Sequence, residues 1–399
     1  MKYTLTGAAA LMLSAAPLFA GAIERAPQSL SVLFEDGNYV EFSGGRVSPD
    51  VSGRDLALRD PATGTVVYPG GRRTGNVAED YSFIGFAYKH QFNDQLSGAL
   101  IVEQPFGADI SYATVNPTSA TAGSVNLGGT SVEVNSTTYT ALLRYKIDDQ
   151  WGVHGGLRGS RAEGVVNLRG AAYGPLNGYT ADLDGSWGMG YVLGASWEKP
   201  DIKARVSLTY NSPIEHDFDT AETLNGMPLR GGRTGTTVKT PRSWTLEGQT
   251  GVAADTLVFG SIRWVKWSEF TVSPQALTCS PPSQMPPCFG VTEGLVTLED
   301  TTTYTLGVGR KFTDNWSGSL SFGYEKAGNK LISPLSPTTG RKSVSLAAIY
   351  TQDQWKVTAG MTYAKLGDAT PETGTPDTAR ARMDDGDLLG FGLKVGYRF

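Results

Sequence analysis

The sequence "DLLGFGLKVGYRF", residues 387–399, decides the fold, because two kinds of side chain alternate along it. One set of alternate positions is apolar: Leu389, Phe391, Leu393, Val395, Tyr397 and Phe399. The other set is mainly glycine and cations: Leu388, Gly390, Gly392, Lys394, Gly396 and Arg398. A repeat of two residues places successive side chains on opposite faces of a β-strand. The stretch therefore predicts a long strand with one apolar and one polar face.

The same alternation recurs over residues 186–197 and 202–210. Soluble antiparallel sheets alternate too, with the apolar face turned to a core. These segments, however, are longer than a typical soluble strand, and the sequence predicts no helices that could cover their apolar faces. Their polar faces are rich in glycine, serine, threonine, lysine and arginine. An apolar belt that faces lipid, around a polar lumen, fits these features better.

Turn signals give the number of strands. Tight polar turns occur at "QFNDQL", "KIDDQW", "EKPDIK", "VAADTL", "KFTDNW" and "TQDQW". Aromatic residues flank them, as in the girdle at a membrane surface: Phe92, Trp151, Trp197, Phe312, Trp316 and Trp355. Longer polar stretches, which we predict to be loops, lie at about 48–79, 105–130, 171–184, 213–236, 271–291, 327–340 and 367–384. Six turns alternating with seven loops predict an all-β, antiparallel transmembrane barrel of fourteen strands.

The N-terminus has the pattern of a secretory signal peptide. A lysine precedes an apolar run, and "AGA" at residues 20–22 resembles a cleavage site, so we expect residues 1–22 to be removed by cleavage after Ala20 or Ala22. After this segment, no apolar run approaches the ~20 residues of a membrane helix. The formal net charge is only −5, which argues against a nucleic-acid partner.

Two cysteines, Cys279 and Cys288, enclose the proline-rich sequence "SPPSQMPP". In an oxidising compartment this arrangement favours a disulfide that closes a small loop. A metal site is disfavoured, because no histidine lies nearby in the sequence.

The sequence "TPRSWTLEGQTGVAADTLVFGSIRWVKWSEF", residues 240–270, resembles the FadL/TodX family of outer-membrane transporters of long-chain fatty acids and aromatic hydrocarbons. That family carries a P-x-x-W-x-hydrophobic-x-G strand, a short turn, and a strand that ends in W-[ST]-x-[FW]. The matching residues are Pro241, Trp244, Gly248, Trp264, Trp267, Ser268 and Phe270. Weaker similarities, such as "YNSPIEHDF" and "DNWSGSLSFGYEKAG", extend the resemblance over roughly residues 30–399.

The resemblance implies an outer-membrane barrel that is plugged by an N-terminal hatch and opened sideways by a kink in its third strand. Its implied partners are a hydrophobic ligand and outer-membrane lipids, with no cofactor, and we expect a monomer. The terminal Phe399 after an alternating strand resembles the signal that the barrel assembly machinery reads, so that machinery is a further expected partner. A long-chain fatty acid is the first expected ligand, and an aromatic hydrocarbon is the alternative. The family's Asn-Pro-Ala hatch segment is missing here. We therefore expect a shortened hatch over residues 23–37 and a barrel over residues 38–399.

The third predicted strand, "QLSGALIVEQPFGADISY", contains Pro105 and Gly107. Pro105 cannot donate a ladder hydrogen bond, so a break in strand pairing here is one interpretation, and it would supply the opening in the wall. The other is that Pro105 ends the strand where an outer loop begins. The sequence favours the second interpretation slightly.

Cations share the polar parity and should face the lumen: His154, Arg158, Lys203, Arg205, Arg263, Lys394 and Arg398. Arg158 and Arg263 are candidates to bind a fatty-acid carboxylate by charge-assisted hydrogen bonds, although pairing with acidic residues is an equally good interpretation. Arg161 matches a basic position of the family's fifth strand that is implicated in substrate contact, so the resemblance makes Arg161 a further candidate. Its parity, however, is that of the lipid side unless a bulge intervenes. Counting along the ninth strand places Trp267 beside the ligand path, and Trp264 and Phe270 near the outer interface.

Apolar residues in the loops could line a trough for the ligand. The candidates are Phe218, Leu224, Met227 and Leu229 after the seventh strand, and Tyr173, Leu176 and Tyr179 after the fifth. A catalytic role is not expected, because His216 beside Asp217 has no supporting nucleophile motif. A water-filled porin is the remaining alternative, and the apolar loops argue against it.

Overall fold

The computed structural model describes residues 23–25, 28–60, 62–278, 289, 291, 294–296, 298–329, 331–374 and 376–399. The expected signal peptide (residues 1–22) and disulfide (Cys279 with Cys288) lie outside these residues. Fourteen antiparallel strands form a closed barrel, as predicted. They are β1 (Tyr39–Asp50), β2 (Tyr81–Gln91), β3 (Leu96–Glu103 and Gly107–Ser111), β4 (Ser131–Lys146), β5 (Trp151–Leu168), β6 (Tyr179–Lys199), β7 (Ala204–Asn211 and Glu215–Leu224), β8 (Met227–Lys239 and Ser243–Ala253), β9 (Thr256–Val265), β10 (Thr301–Lys311), β11 (Trp316–Glu325), β12 (Arg341–Gln352), β13 (Trp355–Leu366) and β14 (Asp387–Arg398).

Pairing of the first strand with the last closes the barrel. The register runs from Tyr39 opposite Arg398 to Asp50 opposite Asp387. All other barrel strands pair with their neighbours in sequence, so the barrel that the described strands form is closed. Closure satisfies the backbone hydrogen bonds that lipid could not.

The alternation predicted from the sequence decides which side chains face outward. On β6, Trp187, Met189 and Leu193 are exposed on the outside of the barrel, whereas Val192 and Ser196 are buried inside. At the ends of the short turns, large aromatic side chains such as Trp151 and Trp355 are about half exposed. The outer surface therefore has the apolar belt and aromatic girdle of a membrane barrel.

The helical segments are short. In the described part of the chain they are one α-helix, α1 (Gln275–Thr278), and 3₁₀ turns at Ser31–Phe34, Ala171–Leu176, Pro200–Ile202 and Trp267–Glu269. Within the described residues, no helix is long and apolar enough to cross a membrane. Lys203, which we expected on a strand facing the lumen, instead lies in the turn after the Pro200–Ile202 helix, with a left-handed φ of 54°.

Several predicted loops contain strand residues, such as Gly107–Ser111 of β3 and the start of β6 at Tyr179. The largest error lies after the seventh predicted strand. Residues 213–236 form most of a hairpin, in which β7 and β8 extend beyond the membrane belt and pair from Glu215 opposite Lys239 to Leu224 opposite Met227. The turn residues Asn225 and Gly226 both have positive φ, at 51° and 79°. An Asn-Gly pair favours such a two-residue hairpin turn, so the signal was present in the sequence.

Hydrogen bonds to buried carboxylates fix the outer loops above the barrel. Asp55 accepts hydrogen bonds from the Ser124 hydroxyl at 2.6 Å and from the Val125 amide at 2.7 Å. Glu222 accepts one from the Tyr179 hydroxyl at 2.7 Å and one from the Ala276 amide at 2.9 Å. These contacts connect outer segments that are distant in sequence, above an apolar core.

Candidate functional site

The wall of the barrel is interrupted between β2 and β3. Their ladder runs from Gln91 opposite Ser97 to Phe86 opposite Val102, and β3 then breaks at residues 104–106 around Pro105. Pairing resumes only at the bridge between Ala78 and Ile110. Between these points, the described residues of β2 form no ladder with β3.

The start of the plug segment, which we define as residues 23–37, pairs with β3 where β2 does not. The Arg25 amide donates a hydrogen bond to the Pro105 carbonyl at 2.8 Å, and the Gly107 amide donates one to the Ile23 carbonyl at 2.8 Å. A side chain at Gly107 would collide with Arg25, since a Cβ there would lie 2.5 Å from its guanidinium carbon. A side chain at position 107 would therefore have to displace the side chain of Arg25.

A cavity, which we name the wall cavity, passes through the gap. Its lining includes Glu103 and Arg263 from the lumen, together with Ile84 and Phe86, whose side chains point to the outside of the barrel. Ile84 is 74% exposed, and Phe86 lies opposite the exposed Phe42. The cavity therefore reaches both faces of the wall.

Charged residues gather where the plug segment meets the wall cavity. Glu24 is fully buried and forms an ion pair with Arg263, and Arg341 pairs with Glu325 at 4.0 Å. Arg158 is 2% exposed, and its Nη2 has no hydrogen-bond partner among the described residues. Buried ions need partners, so these side chains hold the plug segment in place and also offer donors to an anion.

A second cavity, which we name the outer cavity, lies under the outer loops and is almost wholly apolar. Its lining includes Ile23 of the plug segment, Phe106 at the break in β3, and Phe218, Val238 and Phe270 from β7, β8 and the loop after β9. No lysine or arginine is among the described residues that line it. An apolar molecule that enters here loses contact with water at no cost in buried charge.

At the short-turn end, the plug segment is bound to the inside of the barrel. The Phe34 ring lies between the guanidinium groups of Arg144 and Arg205, at 4.8 and 4.0 Å from the ring centroid. Glu35 accepts a hydrogen bond from Lys356 at 2.6 Å and lies 3.7 Å from Arg398. Two cation–π contacts and buried ion pairs thus fix this end of the plug segment.

The structure brings only some of the predicted residues together. Phe218 lines the outer cavity, and Arg158 and Arg263 lie inside the barrel. Leu224 packs against the core under the outer loops and does not line a cavity among those described. Arg161 lies on the outer face, where it pairs with Glu163 at 2.8 Å with both side chains about half exposed.

The end of β9 departs from its expected parity. After Val265 the chain turns through the 3₁₀ helix Trp267–Glu269, and Phe270 is buried in the outer cavity instead of facing the outer interface. Trp267 is 1% exposed and packs edge to face on Phe106 and on Phe270, each at 6.1 Å between ring centroids. Trp267 therefore supports Phe106 at the break in β3.

Several residues of the site were not predicted from the sequence. Glu24 and Ile23 carried no strand signal, and Phe106 had only its neighbour Pro105 to mark it. His216, which lines the outer cavity, shares the parity of Phe218 and could have been found from that alternation. Among the described residues, no group of His, Cys, Asp and Glu could hold a metal ion.

Comparison with known proteins agrees with this architecture. The model of the family "Outer membrane protein transport protein (OMPP1/FadL/TodX)" matches residues 7–399. The chain belongs to this family. It lies in the outer membrane and is a channel for hydrophobic compounds, as its family and barrel indicate.

Solved structures with the same fold are distant in sequence. A FadL homologue of Pseudomonas aeruginosa is 15% identical, with a TM-score of 0.69 over 100% of this chain and 99% of that one. The toluene transporter TbuX of Ralstonia pickettii is 12% identical, with a TM-score of 0.60 over the whole of both chains. The P. putida toluene transporter TodX is 13% identical, with a TM-score of 0.61 over 96% of this chain and 99% of that one. No curated protein matches the sequence.

Proposed function

We propose that this channel takes up hydrophobic molecules passively through the outer cavity and releases them sideways, through the wall cavity, into the membrane. The observation that carries the proposal is the gap between β2 and β3, because one continuous cavity there has lumen and outward-facing side chains in its lining. The closed short-turn end supports the same route, since the fixed plug segment obstructs an exit to the periplasm. Pro105 and Gly107 shape the gap.

Long-chain fatty acids are the first substrate class that we propose. The outer cavity is apolar enough for an alkyl chain, and Arg158 and Arg263 offer guanidinium donors to a carboxylate at the plug segment. A carboxylate that binds Arg263 would compete with Glu24 and so weaken the contact that holds the plug segment.

Aromatic hydrocarbons are a second candidate, and a specific observation favours them. The described lining of the outer cavity has no cation, whereas three phenylalanine side chains, Phe106, Phe218 and Phe270, contribute to it. An uncharged ring could occupy this cavity without any headgroup contact. We propose that the protein works as a monomer that is inserted by the barrel assembly machinery.

The test combines uptake with conductance. Purified protein is reconstituted into proteoliposomes, and the transfer of a fluorescent fatty acid and of toluene is timed against protein-free vesicles. The same preparation is placed in a planar bilayer. We expect accelerated transfer with no large steady ion conductance. A large steady conductance would contradict the proposal and favour a water-filled porin.

A further inference from the structure

His216 is the polar side chain that the outer cavity leaves unsatisfied. It is 1% exposed, it lines the cavity, and its Nε2 has no hydrogen-bond partner among the described residues. The other polar side chains of the described lining are engaged. Glu163 pairs with Arg161 at 2.8 Å, and the hydroxyl groups form hydrogen bonds. Ser136 donates to the Phe106 carbonyl at 2.7 Å, Thr240 donates to the Ile214 carbonyl at 3.3 Å, and Ser160 accepts from Thr138 at 3.2 Å. A buried polar atom without a partner calls for an explanation, and a missing ligand is one.

The hydrogen bond on the other ring nitrogen decides what Nε2 can do. Nδ1 lies 3.2 Å from the backbone carbonyl oxygen of Ser186 on β6. A carbonyl oxygen can only accept, so Nδ1 carries the hydrogen, and Nε2 of the neutral ring is an acceptor. An imidazolium would be costly in this apolar setting. Asp217, the neighbouring acid, instead accepts from the Thr237 hydroxyl at 2.6 Å.

The ring is also held in place. It stacks on Phe218 with 5.8 Å between ring centroids and 23° between ring planes, and both residues line the cavity. Nδ1 is bound to the wall, so Nε2, on the opposite edge of the ring, is directed away from β6. A fixed acceptor beside an aromatic face suits a ligand that combines an apolar body with one hydroxyl donor.

We propose that the outer cavity binds uncharged hydrophobic molecules that carry a hydroxyl group, such as alkylphenols and long-chain alcohols, and that His216 Nε2 accepts the hydrogen bond from that hydroxyl. This inference rests on the proposed function and sharpens it. An ionised carboxylate has no proton to donate and finds no cation on the described lining, so it binds instead near Arg158 and Arg263.

The experiment measures binding of p-pentylphenol and of pentylbenzene to the purified full-length protein by calorimetry, with each affinity corrected for partition into detergent. We expect the phenol to bind roughly threefold to tenfold more tightly than the hydrocarbon, as one net hydrogen bond allows. Equal corrected affinities in the wild type would overturn the proposal.

Two variants distinguish the roles of the two ring nitrogens of His216. His216→Asn keeps a donor near the position of Nδ1 and removes the acceptor at Nε2. The preference should then disappear, so that the phenol and the hydrocarbon bind with about equal affinity. His216→Gln places an amide oxygen near the position of Nε2 and should keep most of the preference. Heat-dependent mobility on gels confirms that each variant folds. An unchanged preference in His216→Asn would overturn the proposal.

The binding role of His216 and the channel function can be disproved separately. Transfer of the fluorescent fatty acid into proteoliposomes is measured on the same preparations. If transfer occurs and the preference for the phenol is absent, the role of His216 is wrong and the channel function stands. If the preference is present and the fatty acid is not transferred, the channel function is wrong and the binding site stands. If neither the phenol nor the hydrocarbon binds and the fatty acid is not transferred, both are wrong.

Discussion

Two strands of the wall, β3 and β7, are both interrupted at a proline, and the two interruptions differ. At Pro105 the β2–β3 ladder stops and a cavity fills the gap. At Pro213 the β6–β7 ladder also stops, between Leu183 and Val192 of β6, but β7 packs directly on the β6 backbone. A Cβ at Gly188 of β6 would lie only 2.3 Å from the Glu215 carbonyl oxygen.

Side-chain hydrogen bonds replace the ladder at the second interruption. The Ser212 hydroxyl accepts from the Tyr191 amide at 2.8 Å, and the Ser186 hydroxyl donates to the Asp217 carbonyl at 2.8 Å. At the first interruption, the corresponding backbone groups of β3 bind the plug segment. A proline thus removes pairing in both places, and whatever occupies the space decides whether the wall is sealed.

The largest effect is expected from filling the space at the second interruption, where β7 packs on the β6 backbone. Gly188→Leu would push a side chain against the β7 backbone, which cannot give way, so the barrel should be destabilised by about 3 kcal/mol or more. Heat-dependent mobility on gels and the yield in outer membranes measure this. Gly235→Leu is the control, because a Cβ at Gly235 would meet nothing within 4 Å. Equal yields of the two variants would show that the interruption is not packed as described.

The next largest effect concerns the plug segment at the first interruption, around Pro105. Arg263→Met leaves the buried Glu24 without its ion-pair partner. Breaking such a pair costs about 3–5 kcal/mol, and we expect this cost to destabilise the binding of the plug segment and not the barrel. Hydrogen exchange at residues 23–25 should increase strongly while the strands stay protected. The double variant Glu24→Gln with Arg263→Met should recover much of the protection. If exchange is unchanged in the single variant, the ion pair does not hold the plug segment.

A smaller effect is expected at the short-turn end. Phe34→Ala removes a half-buried ring and two cation–π contacts, which together contribute about 1–3 kcal/mol to the plug segment. We expect intermittent ion conductance in planar bilayers for this variant and none for the wild type. Phe312→Ala removes a ring exposed on the outer surface and serves as the control. Identical traces for the two variants would contradict the closing role of Phe34.

The smallest effect is expected at Arg161. Its ion pair with Glu163 is about half exposed on both sides, and such pairs contribute only about 0–1 kcal/mol. Arg161→Ala should change neither barrel stability nor fatty-acid transfer by more than about twofold. A large loss of transfer in this variant would return Arg161 to the ligand path, where the resemblance to the family first suggested it.

The sequence predicts the barrel well because lipid imposes one rule on every strand. Alternation over residues 387–399 and 186–197, with the short turns, is sufficient for fourteen strands and for the inward parity of Arg158 and Arg263. The alternation no longer predicts which way side chains face where the chain leaves the membrane-spanning strands. Phe270 follows a 3₁₀ turn that shifts the parity, and the 213–236 hairpin extends outside the membrane, where its Asn-Gly turn was the remaining signal.

The site itself was harder to predict because it depends on contacts between distant segments. Glu24 and Arg263 are separated by 239 positions, and no local pattern links them. The break at Pro105 had two interpretations from sequence, since the decision depends on whether β3 resumes. It does resume, as Gly107–Ser111 opposite β4, which favours a break in pairing. The role of this break as an exit stays a prediction.

The central claim is that substrate leaves through the gap between β2 and β3. Its most direct test is the rate of fatty-acid transfer into proteoliposomes by Gly107→Leu, compared with Gly235→Leu. A side chain at Gly107 displaces the flexible Arg25 toward the gap and leaves the strands intact. We predict a normally folded barrel whose transfer rate falls by about tenfold, with the control unaffected. A folded Gly107→Leu barrel that transfers fatty acid at the wild-type rate would contradict the account.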